Sequence, residues 1–552
     1  MARSDARANG LASGFVMEAE AAAMQSANTA ADRLMAHRPF LLAALAGILV
    51  AWGFAPSFTF LVIPVIGFAL LIRLLMLAEG KRRVFVIGWL FGLTQFVLGL
   101  NWIATAFTYQ AEMPAWLGWI AVVLLSIYLA VYPALAALGA WWIGRGRPIA
   151  LVLAFAGLWT LTEWLRGWLF TGFPWNPVSS LTVDYGLLPH GARFVGTYGF
   201  SGLLLIVPGA LAQIGSMSLR DRRFMALGVV SLIMLIAAFL PKNLFSDPLP
   251  ESAPHIAIVQ PNIGQDIAND PRRYEEFFQR LARLSQPAPG EAPFDMVFWP
   301  EGAIPDYLES GYPRRYYMDT TYGASAELAR ARIATIVPGG RLITGAQDLE
   351  IGSSGLTGAR NVVTVIGPSG AIEGSYAKAH LVPYGEYLPM RSLLQPLGLS
   401  RLVAGSIDFD PGPGPRSISL SGDPKMGVQI CYEIVFSGHV IDSRDRPAFL
   451  FNPSNDGWFG TWGPPQHLKQ ARLRAIEEGL PLVRSTTTGI SALVDADGRV
   501  LASLATGKEA RIDALLPPPL APTWFARFGN WLAILCGVLL VALGIASARA
   551  RR

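Results

Sequence analysis

Residues 426–433 run Met426-Gly427-Val428-Gln429-Ile430-Cys431-Tyr432-Glu433, a short apolar run that ends in a thiol. Such a run reads as a strand with the cysteine at its edge. Cys431 is one of two cysteines in the chain. The other, Cys536, lies inside the last apolar segment, so the two are not expected to pair and no disulfide framework is implied. Two further ionisable residues sit in similar settings upstream. Glu301 ends the run Phe294-Asp295-Met296-Val297-Phe298-Trp299-Pro300, and Lys378 follows the run Ala371 to Ala377.

Working outward, His255–Gln260 reads as an opening strand and Asp270–Leu284 as a helix with Pro271 in its first turn. Residues 322–336 read as a helix and Leu342–Gly345 as a strand. Asn361–Ile366 and Ala371–Tyr376 read as a hairpin around Gly367-Pro368-Ser369-Gly370. After the Cys431 strand come a strand at Ala448–Phe451, a helix at 465–480, and a second hairpin, Ser491–Asp495 with Val500–Leu504. Mixed strands with interspersed helices predict a layered α/β sandwich. There is no Walker loop, Rossmann fingerprint or zinc spacing, and no cofactor or metal is expected.

The rest of the chain has a different character. Of its 552 residues 52% are hydrophobic and 15% charged, against about 25% charged in soluble domains. A bilayer span needs roughly 20 apolar residues. That window predicts seven helices before residue 242, at 39–55, 58–77, 84–106, 115–143, 148–169, 191–215 and 224–241, and an eighth at 529–548. Alternate connections carry Lys81, Arg82 and Arg83; Arg145 and Arg147; and Arg220, Arg222 and Arg223. The tails add Arg33, Arg38, Arg549, Arg551 and Arg552, whereas 55–59, 107–114 and 171–190 contain no Lys or Arg. By the positive-inside rule both termini are cytoplasmic and the stretch 242–528 lies on the far side. The net charge of +5 is thus placed for a membrane and not for nucleic acid. The expected domains are a cytoplasmic tail over 1–38, a seven-helix bundle over 39–241, an aqueous domain over 242–528, and a closing helix with a basic tail over 529–552. Residues 1–38 lack the apolar core of a cleavable signal peptide and read as a tail with a frayed helix.

A thiol attacks only as thiolate. A neighbouring carboxylate can take its proton and a fixed cation can stabilise the oxyanion that forms. Glu301, Lys378 and Cys431 supply those groups, and the N–H of Tyr432 is placed to share the oxyanion role. Taken singly, each has a plainer reading: a buried core cysteine, or a surface Glu or Lys. Their order and local grammar favour the chemical one. Glu163 and Arg166 fall in the fifth apolar segment, three residues apart on one helical face. They pair with each other structurally or help hold a polar lipid head group. The aromatics after them, in Phe170-Thr171-Gly172-Phe173-Pro174-Trp175, suit an interface.

Phe298-Trp299-Pro300-Glu301, Tyr376-Ala377-Lys378-Ala379-His380 through Glu386, and Ile430-Cys431-Tyr432-Glu433 resemble the Glu–Lys–Cys motifs of the nitrilase (carbon–nitrogen hydrolase) superfamily. Over roughly 39–548 the chain more closely resembles the bacterial apolipoprotein N-acyltransferase family, and Asn452-Pro453-Ser454-Asn455-Asp456-Gly457-Trp458-Phe459-Gly460 and Ala471–Glu477 are similar to that family too. The resemblance implies a nitrilase-like αββα sandwich beside an eight-helix transmembrane bundle in the inner membrane, with the catalytic domain in the periplasm. It implies acyl transfer through a thioester on Cys431, from a phospholipid such as phosphatidylethanolamine to the N-terminal amine of a diacylated apolipoprotein. Glu301 is the implied base, Lys378 the oxyanion residue, Glu386 an additional carboxylate, and Tyr432 and Glu433 supporting positions. Two positions depart from the family: Asn269 stands where a tryptophan is usual, and Thr487 where an asparagine is.

Trp458 and Phe459 are expected in a mobile lid or membrane-dipping arm, or else in a buried aromatic turn. Tyr384 and Tyr387 are expected near the acyl entrance. His380 and His467 have no job in the Glu–Lys–Cys chemistry and read as structural or surface residues. A rival reading is a membrane-tethered amidase hydrolysing small amides, which would need one anchor helix and not eight. Another is a non-catalytic lipoprotein-binding scaffold, against which the intact Glu–Lys–Cys set argues.

Overall fold

Ile256 and Ile258 point one way from their strand and Ala257 and Val259 the other, because side chains alternate across a pleated strand. Both sets are fully buried, the first between two sheets and the second under helices. That double burial is why the strands near the centre read as nearly continuous apolar runs. The computed structural model describes residues 32–550 apart from 34, 57–59, 110–113, 215–220, 242–249, 251, 354, 395 and 397–407. The expected tail up to residue 31 lies outside the described residues, as do Arg220, Arg551 and Arg552.

Twelve strands are described: β1 His255–Gln260, β2 Met296–Phe298, β3 Arg341–Gly352, β4 Gly355–Ile366, β5 Ile372–Ala377, β6 Ser417–Ile418, β7 Met426–Val428, β8 Phe449–Ser454, β9 Leu482–Thr486, β10 Ser491–Val494, β11 Val500–Leu504 and β12 Ala510–Leu515. They form two six-stranded sheets, ordered β12-β1-β2-β3-β4-β5 and β11-β10-β9-β8-β7-β6. β1, β2 and β3 run parallel, as do β7, β8 and β9; the flanking pairs are antiparallel. The sheets pack face to face, with Phe298 from the first meeting Phe449 and Phe451 from the second at ring distances of 6.0 and 4.9 Å.

Helices Tyr274–Leu284 and Ala326–Ala334 cover the outer face of the first sheet through Phe278, Leu281, Ala329 and Ile333. Helix Gly463–Glu478 lies between the second sheet and the membrane half. Ala471 and Ala475 belong to the same core as Leu482 and Ala492 of the second sheet, whereas Leu473 and Ile476 cluster with Val183 and Ala192 of the membrane half. The layered sandwich expected from the motif pattern is therefore present.

The sequence differs from the structure in details that have physical causes. β6, β9 and β12 have no counterpart in the sequence reading. β8 continues through Asn452-Pro453-Ser454, where Pro and polar residues suggest a loop. β3 and β4 form one long hairpin that extends well past the apolar residues at their cores.

Among the described residues, six helices are long and apolar enough to cross a bilayer: Lys81–Gly99, Leu117–Gly144, Pro148–Arg166, Leu188–Leu211, Arg222–Phe239 and Trp531–Arg549. The first two expected segments form shorter apolar helices, Pro39–Trp52 and Val62–Leu77. The expected segment 84–106 is interrupted: its helix ends at Gly99 and a separate turn spans Ile103–Ala106. Leu188–Leu211 breaks at Gly196, whose φ of +70° only glycine adopts without strain. The freed N–H of Thr197 donates to Glu477. Trp531–Arg549 returns to pack on Pro148–Arg166, where a Cβ on Gly157 would lie 2.5 Å from the Gly537 carbonyl oxygen.

Beside Glu477, the Glu478 carboxyl is buried and its Oε2 has no hydrogen-bond partner among the described residues. Burial, and then the Glu477 charge, push it up to about 8. A carboxyl raised in the folded state favours folding while it is protonated, and that advantage is lost as pH rises from the ordinary carboxylate range through about 8. Glu478→Gln should therefore unfold at the same temperature as the parent near pH 5 and at a clearly higher one near pH 9. Thermal unfolding in detergent micelles checks this; parallel curves at the two pH values would contradict it.

Candidate active site

Lys378 directly follows the end of β5, and it is only 1% exposed. A buried ammonium is costly unless it is paired and hydrogen-bonded. Its Nζ lies 2.9 Å from Glu386 Oε1 and 3.5 Å from Glu301 Oε1. Asn361 on β4 donates through Nδ2 to the same two oxygens, at 2.8 Å to Glu301 and 3.1 Å to Glu386. Glu301 Oε2 accepts the Asn455 N–H at 2.8 Å, and Glu386 Oε2 accepts the Val382 N–H at 2.9 Å. Burial alone would lower the Lys378 pKa; Glu386 and Glu301 overcome it and hold the ammonium well above its ordinary value.

Glu301 lies three residues beyond the last residue of β2, and its reach depends on a glycine in the neighbouring strand. A Cβ on Gly345 would lie 2.6 Å from Pro300 O and Gly302 N and 2.7 Å from Glu301 Cα.

Cys431 follows β7 by three residues and opens a 3-10 turn, Cys431–Val435. The structure thus puts it past the strand's end, at a sharp corner: its φ of +52° is in the left-handed region, which a non-glycine residue occupies at a cost of roughly 1–2 kcal/mol. Glu433 staples this corner to the Lys378 loop. Its Oε2 accepts the Ile430 N–H at 2.7 Å, while Oε1 accepts Ala379 N–H at 2.7 Å, His380 N–H at 3.0 Å and the Tyr376 hydroxyl at 2.9 Å. Burial pushes the Glu433 carboxyl up to about 7, against these donors. The thiol of Cys431 is raised well above its ordinary value, first by burial and then by the Glu301 charge, with Lys378 opposing. The resting sulfur is consequently a neutral thiol.

Tyr432 faces the membrane half. Its ring stacks on Trp175 at 6.3 Å and 15°, and its hydroxyl donates to Gly172 O at 3.3 Å. His380, read as structural or surface, also faces this half: Nε2 lies 3.1 Å from Thr171 O and the ring sits 3.8 Å from Phe436. Glu163 and Arg166 do not join the Glu–Lys–Cys group. Arg166 donates to the carbonyls of Phe173 and Trp175 at 2.7 and 2.9 Å, and Glu163 Oε1 accepts the Val178 N–H at 3.1 Å, with 3.9 Å between the pair. Their bonds hold the loop that carries Trp175.

Trp458 and Phe459 lie in a packed turn, with Trp458 5.7 Å from Tyr109 and Phe459 4.8 Å from Trp102 and 5.6 Å from Trp175. Tyr384 is exposed and Tyr387 half-buried, joined through the Tyr384 N–H to Tyr387 O. Thr487, at one departure from the family pattern, donates to Asn455 Oδ1 at 2.8 Å; Asn269, at the other, is exposed. Sequence reasoning passed over Asn361 and did not gather Asp456, His467 and Arg484 into one buried group, although His467 reads there as structural or surface. A lone polar residue inside a strand carries no spacing signal, and the last three come together only in three dimensions.

Gly345→Ala should cost about 1–3 kcal/mol by overpacking and displace Glu301. Displacement on the scale of an ångström costs about a hundredfold in rate. Turnover should fall by that order while the protein stays folded in detergent; full turnover would show that the position of Glu301 is not critical.

Residues 46–210 match the family described as apolipoprotein N-acyltransferase N-terminal domain, and residues 255–523 match carbon–nitrogen hydrolase. An apolipoprotein N-acyltransferase of Rhodopseudomonas palustris is 35% identical, over 84% of this chain and 87% of its own. One of Caulobacter vibrioides is 36% identical, over 92% and 94%. Among solved structures, an amidase from Nesterenkonia sp. is 18% identical with a TM-score of 0.33, covering 49% of this chain and 94% of that one. With a membrane bundle and a nitrilase-like sandwich both matched, and relatives aligned along most of its length, the chain belongs to the apolipoprotein N-acyltransferase family.

Proposed function

We propose that this acyltransferase carries a fatty acyl chain from a phospholipid to the N-terminal amine of a diacylglyceryl-cysteine through a thioester on Cys431. The observation that carries the reading is the Lys378 ammonium held between Glu301 and Glu386, in the same electrostatic neighbourhood as a thiol at a left-handed corner.

In the first step Glu301 takes the thiol proton as Sγ bonds to the ester carbonyl carbon. Lys378 Nζ and the Tyr432 N–H receive the oxyanion; that N–H has no acceptor among the described residues. Collapse breaks the ester C–O bond, and Glu301 returns the proton to the departing lysophospholipid oxygen. In the second step the amine attacks the thioester carbon and gives its proton to Glu301. The C–S bond breaks, the sulfur recovers the proton, and the N-acylated lipoprotein leaves. Glu386 keeps the ammonium paired, and Glu433 fixes the corner relative to the Lys378 loop. Trp458, Glu163 and Arg166 act on the acyl route through the packing of the membrane-side aromatics.

The donor is phosphatidylethanolamine in this reading. All eight apolar segments traverse the inner membrane, the two short helices included. The domains divide at 39–241, 242–528 and 529–552, the catalytic domain is periplasmic and both termini are cytoplasmic. The Lys/Arg asymmetry of the connections supports that orientation. Small-amide hydrolysis is not favoured, since it leaves the membrane half without a use.

Incubated with labelled phosphatidylethanolamine, the full-length protein should gain one acyl chain on Cys431, and a diacylated lipopeptide with a free amine should remove it. Cys431→Ala should gain none, and Glu301→Gln should acylate about 10²–10⁴ times more slowly. Intact-protein and lipopeptide mass spectrometry reads all three. N-acylation by Cys431→Ala would refute the thioester route, and loss of the chain to water alone would favour the amidase reading.

A further inference from the structure

Behind the nucleophile corner three ionisable side chains are buried together: Asp456 and, without any exposure, His467 and Arg484. Arg484 Nη2 lies 2.8 Å from both Asp456 oxygens and 3.1 Å from His467 Nδ1. Asp456 Oδ1 is 3.1 Å from the same Nδ1. The other imidazole nitrogen, Nε2, lies 3.0 Å from the carbonyl oxygen of Cys431. That oxygen can only accept, so the proton belongs on Nε2. Asn452, whose Oδ1 is gripped by Arg484, adds Nδ2 contacts to Gln429 O at 2.6 Å and Cys431 O at 3.4 Å. The ring itself is wedged 5.2 Å from Trp175 and 5.4 Å from Phe459.

The Cys431 carbonyl and the Tyr432 N–H are opposite edges of one planar trans peptide. A donor that fixes the carbonyl therefore fixes where the amide points, and a hydrogen bond on one edge polarises the other. A left-handed non-glycine residue persists only where its surroundings over-determine it. We propose that His467 is a positioning residue for acyl transfer: its Nε2–H holds the Cys431 carbonyl, and so sets the corner at 431 and aims the Tyr432 N–H at the oxyanion, with Asp456 and Arg484 fixing the ring. Burial and the Arg484 charge hold the His467 pKa below its ordinary value, in keeping with a neutral ring whose single proton sits on Nε2. The inference rests on the reading of Cys431 as the nucleophile.

The test compares His467→Phe, which fills the space between Trp175 and Phe459 without a donor, with His467→Gln, whose amide can donate to the carbonyl. The full chain in detergent is mixed with phosphatidylethanolamine, and the rate of Cys431 acylation is followed by intact mass. Alkylation of Cys431 by iodoacetamide, which forms no oxyanion, is measured in parallel. His467→Phe should acylate on the order of 10²–10³ times more slowly, the scale of a lost oxyanion donor, with its KM and alkylation rate near those of the parent. His467→Gln should recover most of the rate. Should the Phe variant not fold, His467→Asn, whose amide reaches the Nδ1 side only, takes its place. Parental acylation by the donor-less variant, an equal fall in acylation and alkylation, or no rescue by Gln overturns the proposal. A parent protein that never acquires a thioester on Cys431 sinks the nucleophile reading instead, a result told apart by the unmutated control.

Discussion

A lysine ammonium shut away from water needs anions in contact with it, and in this protein two carboxylates from different segments converge to supply them. Glu301 arrives from the end of β2 and Glu386 from the loop after β5, while Asn361 on β4 bridges both. The arrangement holds one positive and two negative groups in a small volume, so the set carries a surplus of negative charge. That surplus, added to burial, keeps the neighbouring thiol protonated at rest. In the proposed reaction that thiol gives up its proton to a carboxylate only as it attacks.

The second constraint is mechanical. Cys431 follows a strand of one sheet and Lys378 a strand of the other, and nothing in a sheet's own hydrogen bonding fixes their separation. Glu433 does, by accepting from Ile430 on one side and from Ala379, His380 and Tyr376 on the other. Four donors aimed at one carboxylate suit the ionised form, even though burial raises its pKa.

The membrane half reaches the same corner from the opposite direction. Arg166 and Glu163 hold the loop that presents Trp175, and Trp175 stacks on Tyr432 and donates to Gln466 at 2.8 Å. Gln466 in turn donates to Phe54 O and Gly99 O, both at 3.1 Å. Helix Gly463–Glu478 is accordingly an outer layer of the sandwich and the seat of the membrane bundle at once, which accounts for a mostly polar helix being buried almost throughout. A charged pair in an apolar segment here serves the packing of an aromatic loop against the corner at Cys431.

The sequence alone was enough to mark the two characters of the chain, the apolar segments, most of the strands, and Glu301, Lys378 and Cys431, because each depends on local composition or on a short motif. Periodicity likewise foretold the helix that became Tyr274–Leu284 and the β10–β11 hairpin. It could not say that the first two apolar segments form short helices, that Gly196 breaks another, or that β8 runs on through Pro453, since neighbouring elements decide those outcomes. Nor could it join Asn361 to two carboxylates, or bring Asp456, His467 and Arg484 behind Cys431 from positions spread over 28 residues of sequence. Buried polar groups must find partners, and which partners they find is settled only when the sheets, the covering helix and the membrane bundle have closed around them.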